Sequence, residues 1–213
     1  STWNNSGNSA VTFRGGITNN ATATFTAGSG VYTFDTSAQA LTGTLSIPSV
    51  TVTSPAVLTN NNTLTVGTAL SGTGGLTQAT SATLNIGGTS AITTMTATAS
   101  PNTVNYTGAS QTVHSNNYHH LTLSGSGTDV LQAGTTSIAG NFTLSGTVAT
   151  SGVTGLTITG TLTLGSGTTF TAGSYTHNVA GNWTNNGGTF TNTGSTINFN
   201  GTTQTIGGSS STT

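Results

Sequence analysis

Short stretches in which apolar and polar residues alternate recur along the whole chain. Val, Ile, Leu, Phe or Tyr alternates with Thr, Ser or Asn, as in a β-strand with one buried and one wet face. The clearest stretches are Ala21–Ala27, Val50–Ser54, Thr63–Val66, Ala91–Ala99, Leu156–Leu164 and Thr196–Asn200. No segment shows a convincing helical period, so the pattern predicts an all-β protein.

Clusters of small and polar residues interrupt this alternation about every seven to ten residues. Gly accepts positive φ, and Asn and Ser favour turns, so each cluster predicts a tight turn between strands. The glycine-rich clusters are Gly28–Gly30, Gly72–Gly75, Gly87–Gly88 and Gly187–Gly188.

Three segments share an internal repeat of the form apolar, any residue, aromatic, four residues, Gln, any residue, aliphatic. They are Tyr32–Leu41, Val104–Val113 and Ile197–Ile206. Their aromatic positions are Phe34, Tyr106 and Phe199, and their Gln positions are Gln39, Gln111 and Gln204. We predict a structural role for these six positions, in which each Gln either pins a turn through hydrogen bonds or stacks in an amide ladder. Thr2-Trp3-Asn4-Asn5 also echoes Trp183-Thr184-Asn185-Asn186.

Repeated strand–turn units with irregular spacing favour a β-solenoid, in which each coil contributes two or three short strands and stacks on the coil below. The strand-like runs suffice for roughly 7–10 coils, with equivalent residues about 4.8 Å apart. Apolar ladders would fill the interior, and Thr, Ser and Asn would cover the exterior. We interpret residues 1–213 as a single β-solenoid domain. The alternative is a pair of tandem β-sandwich domains of roughly 100 residues each.

Two strings in the chain resemble repeat units of large secreted bacterial surface proteins. The strings are Gly181–Thr213 and Thr103–Thr128, and the resemblance is to β-solenoid adhesins and fibres similar to filamentous-haemagglutinin and autotransporter passenger regions. The resemblance implies an extracellular, rod-like structural or adhesive role at the cell surface. Glycans or a host surface are the partners that such a role implies.

Composition removes several classes of function. The chain has 54 Thr and 31 Gly, its charged side chains are Arg14, Asp35 and Asp129, and it has no Lys, Glu or Cys. One Arg cannot form a basic patch, so we expect no nucleic-acid partner. The absence of Cys removes disulfides, thiolate catalysis and Cys-ligated metals. No run of about 18 apolar residues occurs, so we expect no membrane insertion.

The titratable residues do not indicate catalysis. Asp35 and Asp129 lie on different repeats, whereas a glycosidase or lyase needs clustered groups for general acid–base work, so we predict no enzyme activity. His114, His119 and His120 fall within seven residues, and His177 is the fourth histidine. A His-only metal site would need convergent rings, but adjacent residues of a strand point to opposite faces. We therefore expect neither a metal site nor a cofactor.

Aromatic and Thr residues suggest two binding roles that the sequence leaves open. Exposed aromatics could stack on sugars, but we expect burial at coil corners for Trp3, Trp183, Tyr118 and Tyr175. Flat Thr-x-Thr arrays bind ice in some solenoids, but the intervals between such pairs are irregular here. The pairs are Thr22/Thr24, Thr51/Thr53, Thr63/Thr65, Thr157/Thr159, Thr161/Thr163, Thr169/Thr171 and Thr189/Thr191.

The terminal segments, about 1–13 and 196–213, carry neither Pro nor charge, and the nearest charge is Arg14. The third repeat copy ends before a strand equivalent to Leu121–Leu123, which leaves an open β edge, and unprotected edges pair with other chains. We predict a homopolymer, joined end to end, of which this chain is a fragment or subunit. The alternatives are a passive adhesin stalk and an ice- or glycan-binding solenoid. The predicted interface residues are Trp3, Val11, Phe13, Ile197, Phe199 and Ile206.

Overall fold

The computed structural model describes residues 2–211, which form short parallel strands joined by corners and contain no helix. The chain divides into two compact units, Ser1–Val104 (unit 1) and Asn105–Thr213 (unit 2). Between them the units complete about ten solenoid turns. The prediction of an all-β solenoid of roughly 7–10 coils is confirmed. Ser1, Thr212 and Thr213, which belong to the predicted interface segments, lie outside the described residues.

Unit 1 contains eleven complete strands among the described residues. They are β1 (Thr2–Asn4), β2 (Val11–Phe13), β3 (Ile17–Thr18), β4 (Thr24–Thr26), β5 (Val31–Phe34), β6 (Gln39–Thr42), β7 (Thr44–Val52), β8 (Val57–Asn60), β9 (Thr63–Gln78), β10 (Thr83–Ile86) and β11 (Thr89–Thr96). The residues of β12 (Thr103–Tyr106) lie on both sides of the unit boundary.

Unit 2 contains the remaining thirteen described strands. They are β13 (His120–Leu123), β14 (Ser126–Val130), β15 (Ser137–Ile138), β16 (Phe142–Leu144), β17 (Thr147–Ser151), β18 (Thr157–Ile158), β19 (Leu162–Leu164), β20 (Thr169–Thr171), β21 (Thr176–Val179), β22 (Trp183–Asn185), β23 (Thr189–Thr191), β24 (Thr196–Phe199) and β25 (Ile206–Gly208).

The core of unit 1 consists of columns of like residues. Leu45, Leu64 and Leu84 occupy one register position on β7, β9 and β10, and each is at most 1% exposed. Parallel stacking places such residues about 4.8 Å apart, so each leucine is covered by the next. Burying one leucine in this way contributes about 1.5–3 kcal/mol.

Unit 2 has three strands in each turn, one on each of three parallel sheets. The sheets run β13-β16-β19-β22-β25, β14-β17-β20-β23 and β15-β18-β21-β24. On the first sheet Leu121, Phe142, Leu162 and Trp183 form a buried column. The other two sheets supply columns that include Phe170 and Val179, and these columns meet inside the turn.

Two local sequence predictions are wrong. Leu156–Leu164 is two strands, β18 and β19, because the chain turns a corner at Gly160, where a Cβ would lie 2.5 Å from the Gly140 carbonyl oxygen. Gly72–Gly75 is inside β9 rather than in a turn. Gly72 has φ +115 and passes so close to the turn below that a Cβ would lie 2.0 Å from the Val52 carbonyl oxygen. Because Gly72 has no Cβ, β9 can continue around this crowded corner.

The strand that the repeat alignment leaves out after the third copy is present. Ile206–Gly208 forms β25 and pairs in parallel with β22, so that Ile206 stacks on Trp183. The alignment failed to place this strand because it follows Gln204 almost at once, whereas β13 begins nine residues after Gln111.

Candidate functional site

The first turn of unit 1 presents aromatic residues at an unpaired edge. Among the described strands β1 pairs only with β4, β2 only with β5 and β3 only with β6. Trp3 is 38% exposed and packs on Phe13 and Phe25, with ring centroids 5.7 and 6.3 Å away. We call Trp3, Phe13, Ile17 and Phe25 the first-turn surface. They line a cavity of about 280 Å³ together with small and polar residues.

The last described turn of unit 2 presents a second apolar surface. Phe190, Ile197, Phe199 and Ile206 surround Trp183 and line a cavity of about 210 Å³. Ile206 is 59% exposed and Phe199 38%. Among the described residues β23, β24 and β25 each have one strand neighbour. We call these five residues the last-turn surface.

The predicted interface residues therefore fall into two groups. Ile197, Phe199 and Ile206 come together in the last-turn surface, and Trp3 and Phe13 come together in the first-turn surface. Val11 lies on β2 beside Phe13, half-buried and outside the cavity lining.

A buried asparagine closes one corner of each open turn, and sequence reasoning did not single out either one. The Asn5 amide donates to Ser9 O, Ala27 O and the Tyr32 hydroxyl at 2.8–3.2 Å. The oxygen of Asn185 accepts from the amides of Gly187 and Gly188, and its nitrogen donates to Ser211 O at 2.6 Å. The sequence signal that could have identified these two asparagines is the pattern Trp-x-Asn, which begins at Trp3 and at Trp183.

Each of the three repeat glutamines hydrogen-bonds to a group three residues earlier in the chain. The Gln111 and Gln204 oxygens accept from the backbone amides three residues earlier, Gly108 at 2.6 Å and Gly201 at 2.9 Å. The Gln39 amide donates to Thr36 Oγ1, also three residues earlier. The amide-ladder alternative is wrong for Gln39, because the register partner stacked on it is Leu58.

The aromatic positions of the repeat differ in burial. Phe34 and Tyr106 are fully buried, whereas Phe199 is 38% exposed because β24 is at an edge. Trp183 and Tyr118 are buried, as predicted. Burial is the wrong prediction for Trp3 and Tyr175, which are 38% and 39% exposed.

The two aspartates have opposite environments. Asp35 is half-buried and accepts hydrogen bonds from Arg14, with 3.1 Å between Arg14 Nη2 and Asp35 Oδ2, and these bonds lower the pKa of the Asp35 carboxyl. Asp129 is fully buried, and burial raises the pKa of its carboxyl, while a hydrogen bond from the Gln111 amide opposes the rise. Asp129 Oδ2 has no hydrogen-bond partner among the described residues.

The histidines differ from expectation in one respect. The rings of His119 and His120 are in edge-to-face contact, with centroids 4.2 Å apart, rather than on opposite faces, because His119 precedes the strand and only His120 belongs to it. His120 Nδ1 accepts from the Asn141 amide at 2.8 Å. Burial, with a smaller effect of His119, lowers the pKa of His120. Residues 2–211 contain no cluster of three or more His, Cys, Asp or Glu suited to a metal.

Outward-facing Thr residues form regular ranks that the irregular sequence intervals concealed. Thr44, Thr63 and Thr83 are in register on β7, β9 and β10, and Ser46, Thr65 and Asn85 form a parallel rank beside them. Turns of different length still stack in register, because the corners absorb the difference. Thr44 and Ser46 are exposed, and the other four are half-buried.

No family model, curated protein or solved structure matches this chain. In the part of the chain that the structure describes, no helix has the length and apolar character needed to cross a membrane. Any inference about function therefore rests on the fold, the first-turn surface and the last-turn surface.

Proposed function

We propose that the chain is a structural subunit of a secreted, extracellular surface filament, in which copies join end to end by strand addition at their open turns. Its partner in this proposal is another copy of itself, and it performs no catalysis. The chain binds neither nucleic acid nor membrane interior, because it lacks a basic patch and a long apolar segment.

The last-turn surface is the main support for this proposal. Its exposed Phe199 and Ile206 flank a cavity that the described residues line with apolar and aromatic side chains, beside three strand edges that have no partner within residues 2–211. Exposed strand edges pair with further strands unless charge, Pro or a covering segment prevents it, and neither charge nor Pro is present on β23–β25. Trp183 Nε1 is also buried there, and none of the described residues supplies an acceptor for it.

A second candidate function is an ice- or glycan-binding face, which the Thr ranks of β7, β9 and β10 favour. A regular rank of hydroxyls suits a periodic ligand. In this case the chain would be active as a monomer and would show thermal hysteresis or polysaccharide binding, both lost in Thr63→Lys. A passive adhesin stalk, in contrast, would neither assemble nor bind.

Electron microscopy of the purified protein at neutral pH, together with sedimentation over a range of concentrations, tests the filament proposal. We expect unbranched fibres with an axial subunit repeat. Ile206→Asp should raise the concentration needed for assembly about tenfold or more, because it places a charge at the joint. Val130→Asp is the matched control, since Val130 is 49% exposed but belongs to the strand farthest from β23 in its sheet. A wild-type protein that stays monomeric at all concentrations contradicts the proposal.

A further inference from the structure

We infer that the joint is head to tail, and that the last turn of one copy receives the first turn of the next in a defined register. This inference rests on the proposed filament and names the partner surface. Strand β25 would pair with β1 of the next copy, β23 with β2, and β24 with β3.

The apolar columns support this register, because three columns end on the last turn of unit 2 and three columns begin on the first turn of unit 1. On the last turn the columns end in Ile206 above Trp183, Phe190 above Phe170 and Phe199 above Val179. On the first turn they begin with Trp3 before Phe25, Phe13 before Phe34 and Ile17 before Leu41. Joining the two surfaces makes three continuous apolar columns.

The order of strands within the turn supports the same pairing. β1, β2 and β3 are the first, second and third strands of their turn, and β22, β23 and β24 hold the same positions, with β25 beginning the next turn. In both first strands a Trp is followed two residues later by a buried corner Asn, Asn5 or Asn185.

The perimeters of the two turns also match. Trp3 pairs with Phe25, 22 residues later, and Trp183 pairs with Ile206, 23 residues later. At one corner of each turn, Asn5 and Asn185 already hydrogen-bond to the backbone groups around them. In this joint the contact comprises the apolar mouths and the strand edges.

Polarity follows from the parallel sheets. The described strand pairs at both open turns are parallel, and a head-to-tail joint continues that arrangement on all three sheets. A head-to-head joint would oppose strands in antiparallel orientation and would break the columns. The contact is heterologous, and heterologous contacts that do not close produce filaments.

Cysteine cross-linking tests the register directly, because the chain has no cysteine of its own. If Ile206 stacks on Trp3 of the next copy, Gly207 faces Asn4 at about 4.8 Å between Cα atoms, a separation that suits a disulfide. A side chain fits at Gly207, where the nearest described atom to an added Cβ is Thr205 Cγ2 at 3.6 Å. Under mild oxidation N4C/G207C should give a ladder of covalent oligomers, and the single variants N4C and G207C should give none.

The control is T44C/G207C, which places the first cysteine on exposed Thr44 of β7, away from the first turn. It should give at least about tenfold less cross-linking than N4C/G207C, because the joint fixes only the designed pair. Fibres in which either single variant forms covalent dimers would overturn the head-to-tail joint and leave the filament proposal standing. Fibres of N4C/G207C that give no covalent oligomers under mild oxidation would overturn the register. Absence of wild-type fibres would overturn the filament proposal itself.

Discussion

Two tryptophans in equivalent positions have opposite exposure. Trp3 and Trp183 each lie on the first strand of a turn, and each precedes a buried corner asparagine by two residues. Trp183 is 1% exposed because β25 covers it, whereas Trp3 is 38% exposed because β1 has a described strand neighbour, β4, on one side alone. Neighbouring turns, rather than the local sequence, therefore determine whether such a tryptophan is buried.

Coverage by neighbouring turns also distinguishes core residues from candidate interface residues. A residue covered by turns on both sides belongs to a column, and its removal leaves a cavity. A residue covered on one side has apolar surface available for a partner. The six residues that end the columns, Trp3, Phe13, Ile17, Phe190, Phe199 and Ile206, are in this second state to different degrees, and Ile17 is the most buried at 9%.

Truncating the two tryptophans should give the largest difference. Trp183→Ala should lower the free energy of unfolding by about 3–5 kcal/mol, because it leaves a cavity beside Phe190 and Phe199. Trp3→Ala should lower it by only about 1–2 kcal/mol, since much of the ring is already in water. Urea denaturation, at a protein concentration below that needed for assembly, measures both losses of unfolding free energy. Equal losses would contradict the assignment of Trp3 to an open surface.

The corner asparagines should behave alike despite the difference between the tryptophans. Asn5→Ala and Asn185→Ala each leave buried backbone groups without partners, which costs about 1–3 kcal/mol. Asn186→Ala is a control at the exposed neighbouring position and should change stability by less than about 0.5 kcal/mol. If Asn185→Ala and Asn186→Ala change the free energy of unfolding equally, the Asn185 side chain does not stabilise its corner.

Acidification distinguishes the units, because all four histidines and Asp129 belong to unit 2. The pKa of His120 is lowered in the folded protein, so the unfolded chain binds a proton first as the pH falls below about 6.5. The contribution of His120 to stability is present above that pH and is lost as the pH falls towards the folded pKa. His120→Asn should reduce the slope of the unfolding midpoint against pH in this range, and an unchanged slope would exclude His120 as its source.

Titration of Asp129 should change stability with pH in the opposite direction from that of His120. Its folded pKa is raised above the ordinary 3.8, so the folded protein binds the proton more readily, and stability decreases as the pH rises from 3.8 through the folded pKa. Asp129→Asn removes this dependence, so its unfolding midpoint should vary less than that of the wild type from pH 3 to 6. A variant that keeps the wild-type pH dependence would place the titration elsewhere.

The exposed ion pair of unit 1 should have the smallest effect. Arg14 is 71% exposed at its side chain, and water screens its contact with Asp35. The double variant Arg14→Gln, Asp35→Asn should unfold at the same denaturant concentration as the wild type. A clear shift of the midpoint would show that this pair holds the first turns together.

Most of the fold follows from the period-two pattern, because the Thr, Val, Ile and Leu alternation encodes which face of each strand is buried. Of the six interface residues that the sequence predicted, Ile197, Phe199 and Ile206 line one cavity. The sequence did not predict that Gly72–Gly75 lies inside a strand, because a glycine cluster in a turn and one at a crowded corner look alike.

Positions decided by neighbouring turns were beyond sequence reasoning. The exposure of Trp3 and the Thr ranks of unit 1 depend on how neighbouring turns stack. The contact between His119 and His120 depends instead on where β13 begins, which the sequence pattern did not fix. The bonds of Gln39, Gln111 and Gln204, in contrast, depend on local sequence, because each side chain bonds to a group three residues earlier.

Hydrogen–deuterium exchange of assembled against dispersed protein tests the central claim, that the open turns are the docking surfaces. The account predicts that amides of β1–β3 and β23–β25 gain protection on assembly, since their unpaired edges acquire strand partners, while amides of β7, β9 and β10 do not change. Unchanged exchange in these six strands, or new protection restricted to the Thr ranks of β7, β9 and β10, would contradict it.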